Sequence, residues 1–186
     1  MDEKIVKGYK VTNPDYTCRG FKFEVGKTYK EDKAKLCESG FHFCEKIADC
    51  FKYYGFDPNN KVLEIEAHGY VETSDNKSVT DIIKIIREIS WAEMLELANE
   101  GEGNTGLQNT GNWNSGNSNT GNYNSGDFNT GNYNSGDFNT GRNNTGHWNS
   151  GDFNTGHNNT GHWNSGDFNT GAFNKTHNSN GVFCNI

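Results

Sequence analysis

The chain has 186 residues, a formal net charge of -7 and a hydrophobic content of only 31%, with a mean hydropathy of -0.93. The apolar fraction is low for a protein that is globular throughout, and no segment reaches the roughly 18 apolar residues that a membrane span needs. The first residues also lack the apolar run of a secretory signal. We therefore expect a cytoplasmic protein with reduced thiols, without membrane association or direct nucleic-acid binding.

The composition changes abruptly near Glu100. Residues 1–100 carry 15 basic and 19 acidic residues and hold almost all of the Ile, Leu and Val. Residues 101–186 carry 2 basic and 5 acidic residues and consist mainly of Asn, Gly, Thr, Ser and aromatics. This change predicts two domains, a small α+β capping domain over residues 1–100 and a repeat domain over residues 101–186.

Alternating patterns and turn residues predict both strands and helices in the first hundred residues. The stretch Lys4–Val11 alternates weakly and predicts a strand, and Phe21–Tyr29, with Gly26 near its middle, predicts a hairpin. A capping-box sequence at Ser90 opens a helix that ends at Ala98. The other predicted elements are a strand at Gly40–Cys44, a helix at Glu45–Tyr54, and strands at Lys61–Thr73 and Val79–Ile89.

The first half also contains side chains that are common in metal and catalytic sites. Four potential zinc ligands lie close together in the sequence: Cys37, His42, Cys44 and Cys50. Their spacing differs from that of a compact zinc knuckle, and buried thiols are more common, so we expect them to pack in the interior. Cys18 could pair with His42 or His68 as nucleophile and base, but no spacing supports this. We therefore predict no metal, no cofactor and no catalytic residue.

The second half is a repeat. From Asn104 to Asn174 an asparagine occupies every fifth position, nearly always followed by Thr or Ser and then Gly. Each unit reads Asn-[Thr/Ser]-Gly-x-y, where x is mostly Asp, Asn or His and y is often aromatic. A fixed period indicates a stack of like units. A period of five fits neither a helix nor an ordinary strand, and the aromatic residues argue against disorder.

This pattern resembles the pentapeptide-repeat proteins, in the variant with Asn-x-Gly units, over about 80 residues. The resemblance implies a right-handed quadrilateral β-helix with one pentapeptide per side, four pentapeptides per coil and about four coils. Residues 20 apart would then stack along each face. In that arrangement Asp127, His147 and Asp167 share one surface column, and Asp137, His157 and His177 share another.

The direction of the y side chains is the main open question. The hydrophobic effect favours aromatic rings inside. From residue 128 onward each group of four y residues holds three rings and one small polar residue, as a shared interior of constant volume would require. The alternative places Asn and Gly inside and the rings outside, and the unvarying Asn supports it. We prefer the first arrangement, which the fluorescence of Trp113, Trp148 and Trp163 would test.

Five short segments of the first half are distinctive: Gly8–Val11, Cys18–Gly20, Val25–Tyr29, Cys37–Cys44 and Ile89–Trp91. They resemble a domain of unknown function that precedes pentapeptide arrays in bacterial and phage-like proteins. The resemblance implies a domain identity and no activity.

The order of four other features suggests an enzymatic alternative: Arg19-Gly20, Gly40-Phe41-His42-Phe43, a helix carrying Tyr53-Tyr54, and the strand Val62–Ala67. This order faintly resembles the core of ADP-ribosyltransferases, in which such elements hold a nicotinamide dinucleotide. No catalytic glutamate can be placed. We expect that the protein is not an enzyme and keep this activity as the alternative.

The function expected is that of a structural or protein-interaction module with an unidentified protein partner. The N-terminal domain should cover the open edge of the first coil. The last coil, through Val182, Phe183 and Ile186, should form a homodimer. One alternative is an acidic rod that imitates DNA and binds a topoisomerase such as gyrase. Another is binding of ice by ladders of Thr and Ser.

Overall fold

A computed structural model describes residues 5–175, 178 and 180–182. The chain divides into two compact units, Met1–Leu97 and Ala98–Ile186. Among the described residues, neither helix has the length and apolar character needed to cross a bilayer. Phe183 and Ile186, to which the sequence assigns a dimer contact, lie outside the described residues, whereas Val182 lies within them.

The first unit is built on a five-stranded antiparallel sheet. The elements of this unit are β1 Val6–Thr12, β2 Thr17–Cys18, β3 Phe21–Lys22, β4 Thr28–Lys30, β5 Phe41–Phe43, α1 Ile47–Cys50, β6 Lys61–Ser74, β7 Lys77–Ile89 and α2 Trp91–Ala98. In the sheet, β1, β6 and β7 lie side by side, and the short strands β4 and β5 both pair with β7.

One cluster of buried apolar residues in this unit is centred on the β6–β7 hairpin. Alternate residues of each strand point to the same side of a sheet, so the β-branched and aliphatic residues of both strands are buried together. Leu63 and Ile65 of β6 pack with Ile83 and Ile85 of β7, and Phe23, Phe41 and Phe43 cover them. Removing these apolar surfaces from water stabilises the unit.

Two local predictions for the first unit require correction. The predicted hairpin Phe21–Tyr29 is wrong, because Phe21–Lys22 pairs with Thr17–Cys18 and Thr28–Lys30 pairs with β7. The turn is instead at Arg19 and Gly20, which both have positive φ values of 50° and 81°, as a two-residue hairpin turn requires. The predicted helix Glu45–Tyr54 is only four residues long, Ile47–Cys50.

The second unit is a stack of parallel rungs, each ten residues long. Every paired residue lies opposite the residue ten positions further along the chain, as in Thr160↔Thr170 and Thr170↔Asn180. The strands of this unit are β8 Thr130–Asn132, β9 Thr140–Arg142, β10 Thr160–His162, β11 Thr170–Ala172 and β12 Asn180–Val182. Isolated bridges extend this ladder back to Glu100.

A second ladder occupies the other half of each rung. It runs from Ser115 to Ser165 with the same ten-residue register. Each rung therefore contains two pentapeptides, and the predicted twenty-residue coil with four sides is wrong. The protein is mainly β with pentapeptide repeats, but its repeating rung is half the expected length.

Two left-handed residues in each pentapeptide explain the short rung. The y residues from Gln108 to Asn178 have φ values of 55–61°, and the repeat glycines from Gly111 to Gly171 have φ values of 101–122°. These residues turn the chain sharply twice in every five positions, so it returns after ten residues. Glycine is also required by close approach, because a Cβ on Gly111 would collide with the carbonyl oxygen of Gly121.

The side chains buried in the second unit are asparagines. From Asn109 to Asn174 each repeat asparagine is at most 1% exposed, whereas ten aromatic rings at y are 39–58% exposed. The preferred arrangement with rings inside is therefore wrong. A ten-residue rung leaves little interior space, and its buried backbone groups need hydrogen-bond partners that a ring cannot supply.

Each buried amide both spans its own rung and links it to the next. Asn109 donates its Nδ2 hydrogen to the carbonyl oxygen of Gly116, in the opposite half of the same rung, at 2.9 Å. The Oδ1 atom of Asn109 accepts both the backbone N–H and the Nδ2 hydrogen of Asn119, each at 3.0 Å. Repeated along the array, these bonds form two continuous asparagine ladders inside the stack.

Candidate functional site

The x position carries hydrogen-bond acceptors for a structural reason. Oδ1 of Asp127 accepts the backbone N–H of Asn117 at 2.7 Å, and Oδ1 of Asp137 accepts that of Asp127 at 2.8 Å. Histidine serves equally, because Nδ1 of His147 accepts the N–H of Asp137 at 2.9 Å. Asn, Asp and His all place an acceptor at the δ position, which explains why x is mostly one of these three residues.

The ten-residue rung also changes which surface charges are neighbours. A twenty-residue coil predicts a column of Asp137, His157 and His177, of which His177 lies outside the described residues. The observed neighbour of Asp137 is instead His147, at 3.3 Å between Oδ2 and Nδ1. Asp152 and His162 form a second such pair at 3.9 Å. Both pairs are substantially exposed, so their contribution to stability is small. The DNA-mimic hypothesis stays a prediction, and these carboxylates already accept backbone N–H groups.

The aromatic y residues form two columns on the surface of the second unit. The first aromatic column contains Trp113, Tyr123, Tyr133, Phe153, Trp163 and Phe173, with Asn143 at the position of a missing ring. The second aromatic column contains Phe128, Phe138, Trp148 and Phe168, with Asn158 at the corresponding position.

Within each column the rings lie face to face. The centroids of Tyr123 and Tyr133 are 5.0 Å apart with an angle of 2° between the ring planes. Phe138 and Trp148 stack at 4.2 Å, as do Phe153 and Trp163. These spacings are close to the distance between neighbouring strands, because each ring sits one rung above the last. Despite this stacking, the ten ring-bearing residues keep 39–58% of their surface exposed.

The first unit contains the other candidate site, a cavity with a volume of about 520 Å³. Its lining includes the buried Lys10 of β1 and, from β5, Phe41 and His42. Tyr54, which follows α1, and the exposed Arg19 of the β2–β3 hairpin turn also line it. Cavities of this size are typical of small-molecule sites.

This cavity gathers most of the residues that the sequence singled out in the first half. Arg19, Gly40 to Phe43, Tyr53 and Tyr54 all line it, together with Cys18, Cys44 and Cys50. Three of the four features of the ADP-ribosyltransferase resemblance therefore contribute to the lining, whereas the fourth, the strand Val62–Ala67, does not. That enzymatic activity remains a hypothesis, because such a cavity is common to many binding functions.

The cysteines and histidines occupy several separate settings. Cys18 accepts a hydrogen bond from the hydroxyl of Tyr54 at 2.7 Å. The buried thiols of Cys44 and Cys50 interact, and their hydrogen bond raises the pKa of Cys50 and lowers that of Cys44. Cys37 is exposed. Over residues 5–175, 178 and 180–182, three or more potential ligands do not come together in a metal-binding arrangement.

The two histidines that the sequence offered as bases have other surroundings. Nε2 of His42 accepts the backbone N–H of Cys37 at 2.9 Å. Burial, and then the nearby charges of Lys77, Lys10 and Arg19, lower the pKa of His42. His68 lies beside Glu66 at 3.5 Å. Neither histidine is among the described hydrogen-bond partners of Cys18.

Lys10 is the functional candidate that the sequence analysis missed. It is only 6% exposed, although lysine is rarely buried. Its ammonium group donates to the carbonyl oxygen of His42 at 2.9 Å and lies 4.9 Å from the ring centroid of Phe23. Its place in β1 indicates this burial, because alternate residues of a strand lie on one face and Lys10 lies between the buried residues Gly8 and Thr12 on that face.

Comparison with known families accounts for nearly the whole chain. The family described as Domain of unknown function (DUF7666) matches residues 6–97. The family described as Pentapeptide repeats (8 copies) matches residues 98–137 and again residues 138–177. No curated protein and no solved structure matches the chain. The resemblances to pentapeptide-repeat proteins and to a domain of unknown function are confirmed, and the chain joins an N-terminal DUF7666 domain to an array of pentapeptide repeats.

Proposed function

We propose that the array is a solenoid of ten-residue coils that serves as a self-association module, in which the aromatic columns of one copy dock side by side against those of a second copy. The observation that carries this proposal is the exposure of ten aromatic rings in two columns, each 39–58% accessible. The proposal describes a structural role for the array and assigns no chemistry to it.

The exposed apolar area is large enough for such a contact. An aromatic side chain buries about 150–250 Å² when covered, so a half-exposed ring presents roughly 100 Å². The six rings of the first aromatic column then present about 600 Å², which equals the largest apolar patch of a typical monomer. A stable interface needs about 800 Å² from each partner, and the flanking Thr and Asn residues can supply the remainder.

The spacing of the rings favours a second copy over an unrelated partner. Ring centroids recur at 4.2–5.0 Å along the stacks Tyr123–Tyr133 and Phe138–Trp148. A partner can stay in register with such a column over several rungs only if its own contacts repeat at the same distance. The same array in another copy meets this condition, because both spacings arise from one rung height.

The interruption at Asn143 would set the register of the two copies. The rings on either side of it, Tyr133 and Phe153, are two rungs apart, which is about 9.6 Å for paired strands. A planar ring needs two carbon–carbon contacts of about 3.5–4 Å each, or roughly 7–8 Å in total. A ring from the second copy can therefore enter this gap, and the matching gap at Asn158 lies in the second aromatic column.

The experiment removes rings without altering the backbone. Asparagine already occupies y at positions 143 and 158, with φ values of 55° and 56°. Light scattering of the full chain should give at least twice the monomer mass of 20.8 kDa at high concentration. The four-fold variant Phe138→Asn, Trp148→Asn, Phe153→Asn, Trp163→Asn should give the monomer mass at the same concentration, with an unchanged circular dichroism spectrum.

The control removes an exposed ring elsewhere. Tyr70 of β6 is 55% exposed and belongs to neither column, so Tyr70→Thr should associate as the parent does. A parent that remains monomeric at every concentration contradicts the proposal. So does an assembly that survives the four-fold variant, and if Val182→Asp then dissolves that assembly, the contact lies at the last rung instead.

A further inference from the structure

The ammonium group of Lys10 is buried in the first unit without a compensating carboxylate. Its described partners are the carbonyl oxygen of His42, the ring of Phe23 and the thiol of Cys18, and no described ion pair includes it. The titratable groups that face it are the thiols of Cys18, Cys44 and Cys50 and the imidazole of His42. Burial of a charge without a carboxylate partner is costly, so its presence in the lining of a cavity calls for a functional reason.

Two further cations share the cavity with Lys10. Arg19 is exposed at the hairpin turn, and the amine of Lys77 lies 4.5 Å from the ring centroid of Tyr53. The lining also includes two carboxylates, Glu31, which accepts the backbone N–H of Gly40 at 2.9 Å, and Glu38, which pairs with Lys35 outside the lining at 2.6 Å. Three cations therefore face two carboxylates, one of which already has a cationic partner, so the lining has a surplus of positive charge.

Aromatic rings form the rest of the wall. Phe21, on the hairpin, has its ring centroid 5.5 Å from that of Phe41, and Tyr53, which also lines the cavity, is 49% exposed. Ring faces and edges of this kind bind planar groups. The lining thus combines cationic groups with flat aromatic rings.

We infer that this cavity binds a small organic anion that also carries a planar ring. The anionic group, a phosphate or a carboxylate, lies between Lys10 and Arg19, where it supplies the counter-charge that the protein lacks. The ring packs against the aromatic wall. This site is in the first unit and is independent of the self-association proposed for the array.

The test is calorimetric titration of the full chain with four probes. Adenosine 5′-monophosphate and 4-hydroxybenzoate carry a ring with a phosphate or a carboxylate, and inorganic phosphate and adenosine each lack one of the two features. At least one ring-bearing anion should bind saturably and at least ten-fold more tightly than inorganic phosphate or adenosine. The tighter of the two ring-bearing probes identifies the anionic group.

Variants locate the binding. Arg19→Gln should weaken binding of the preferred probe at least five-fold, and Lys10→Met should abolish it. Lys22→Gln is the matched control, because Lys22 is an exposed cation on the same hairpin that does not line the cavity. Three results would contradict the proposal. Both ring-bearing anions could fail to bind saturably, adenosine could bind as tightly as the preferred ring-bearing anion, or that anion could still bind to both the Arg19→Gln and the Lys10→Met variant.

Discussion

The side-chain oxygen of Asn109 accepts two hydrogen bonds from Asn119, one from the backbone N–H and one from the side-chain amide, each 3.0 Å long. This relationship joins residues ten apart and recurs through the array. It explains why asparagine does not vary: the amide supplies donors and an acceptor to buried groups that have no access to water.

The first prediction concerns this ladder. Asn119→Leu keeps the side-chain size but leaves the carbonyl of Gly126 and the N–H of Asn129 without their side-chain partners. Each unsatisfied buried group costs about 1–3 kcal/mol, so the free energy of unfolding should fall by roughly 2–6 kcal/mol. Chemical denaturation of the parent and the variant measures the difference.

Asn158→Gly is the control for this substitution. Asn158 occupies y on the exposed surface with a φ of 56°, and glycine adopts positive φ without strain. Its unfolding free energy should change by less than about 1 kcal/mol. Equal losses in the two variants would show that the buried amide has no special role.

The second prediction concerns tryptophan. Trp113, Trp148 and Trp163 are 52–58% exposed, so water should surround much of each indole. In a Trp91→Phe background, which isolates these three, the emission maximum should lie near that of indole in water, and acrylamide should quench it efficiently. A blue-shifted, poorly quenched emission from monomeric protein would restore the arrangement with the rings inside.

The third prediction concerns Lys10 and pH. Burial lowers the pKa of Lys10 below its ordinary value of 10.5. At a pH below this lowered pKa the amine is charged in both the folded and the unfolded state, but only the folded state has to bury the charge. Between the lowered pKa and 10.5 the amine is neutral in the folded state and still charged in the unfolded state, so the free energy of unfolding rises with pH over this range and levels off above 10.5. Lys10→Met should be more stable than the parent at neutral pH, by about 1–3 kcal/mol.

The difference between Lys10→Met and the parent should shrink as the pH approaches 10.5. Denaturant midpoints measured at several pH values give this trend. The exposed residue Lys22 provides the control, because Lys22→Met removes an ammonium group that is not buried. A variant that is less stable at neutral pH, or a difference that stays constant with pH, would show that the ammonium group of Lys10 is not a net cost to folding.

The sequence predicted some parts of this structure well, for identifiable reasons. The alternation in Lys61–Thr73 and Val79–Ile89 indicated the long strands β6 and β7, because one face of each is buried. The fixed period of five indicated stacked units. It left the rung length open, because ten and twenty are both multiples of five, and the two left-handed residues per unit decide between them.

An argument from hydrophobicity alone could not predict which side chains of the repeat point into the rung. Rings such as Trp148 would gain more than asparagine from burial, but the narrow interior selects the side chain that satisfies buried backbone groups. The cavity of the first unit was missed for another reason. Lys10, Cys18 and Tyr54 come from separate parts of the sequence, and only the fold brings them together.

The most direct test of the ten-residue rung is disulfide formation between introduced cysteines, with the native cysteines replaced by serine. Thr130 and Thr140 are paired neighbours in the ladder, about 4.8 Å apart, which is within the Cα distance that a disulfide spans. Thr130→Cys with Thr140→Cys should therefore oxidise readily, and Thr130→Cys with Ser150→Cys, two rungs apart, should not. Cross-linking of the second pair in preference to the first would contradict this account and support a twenty-residue coil.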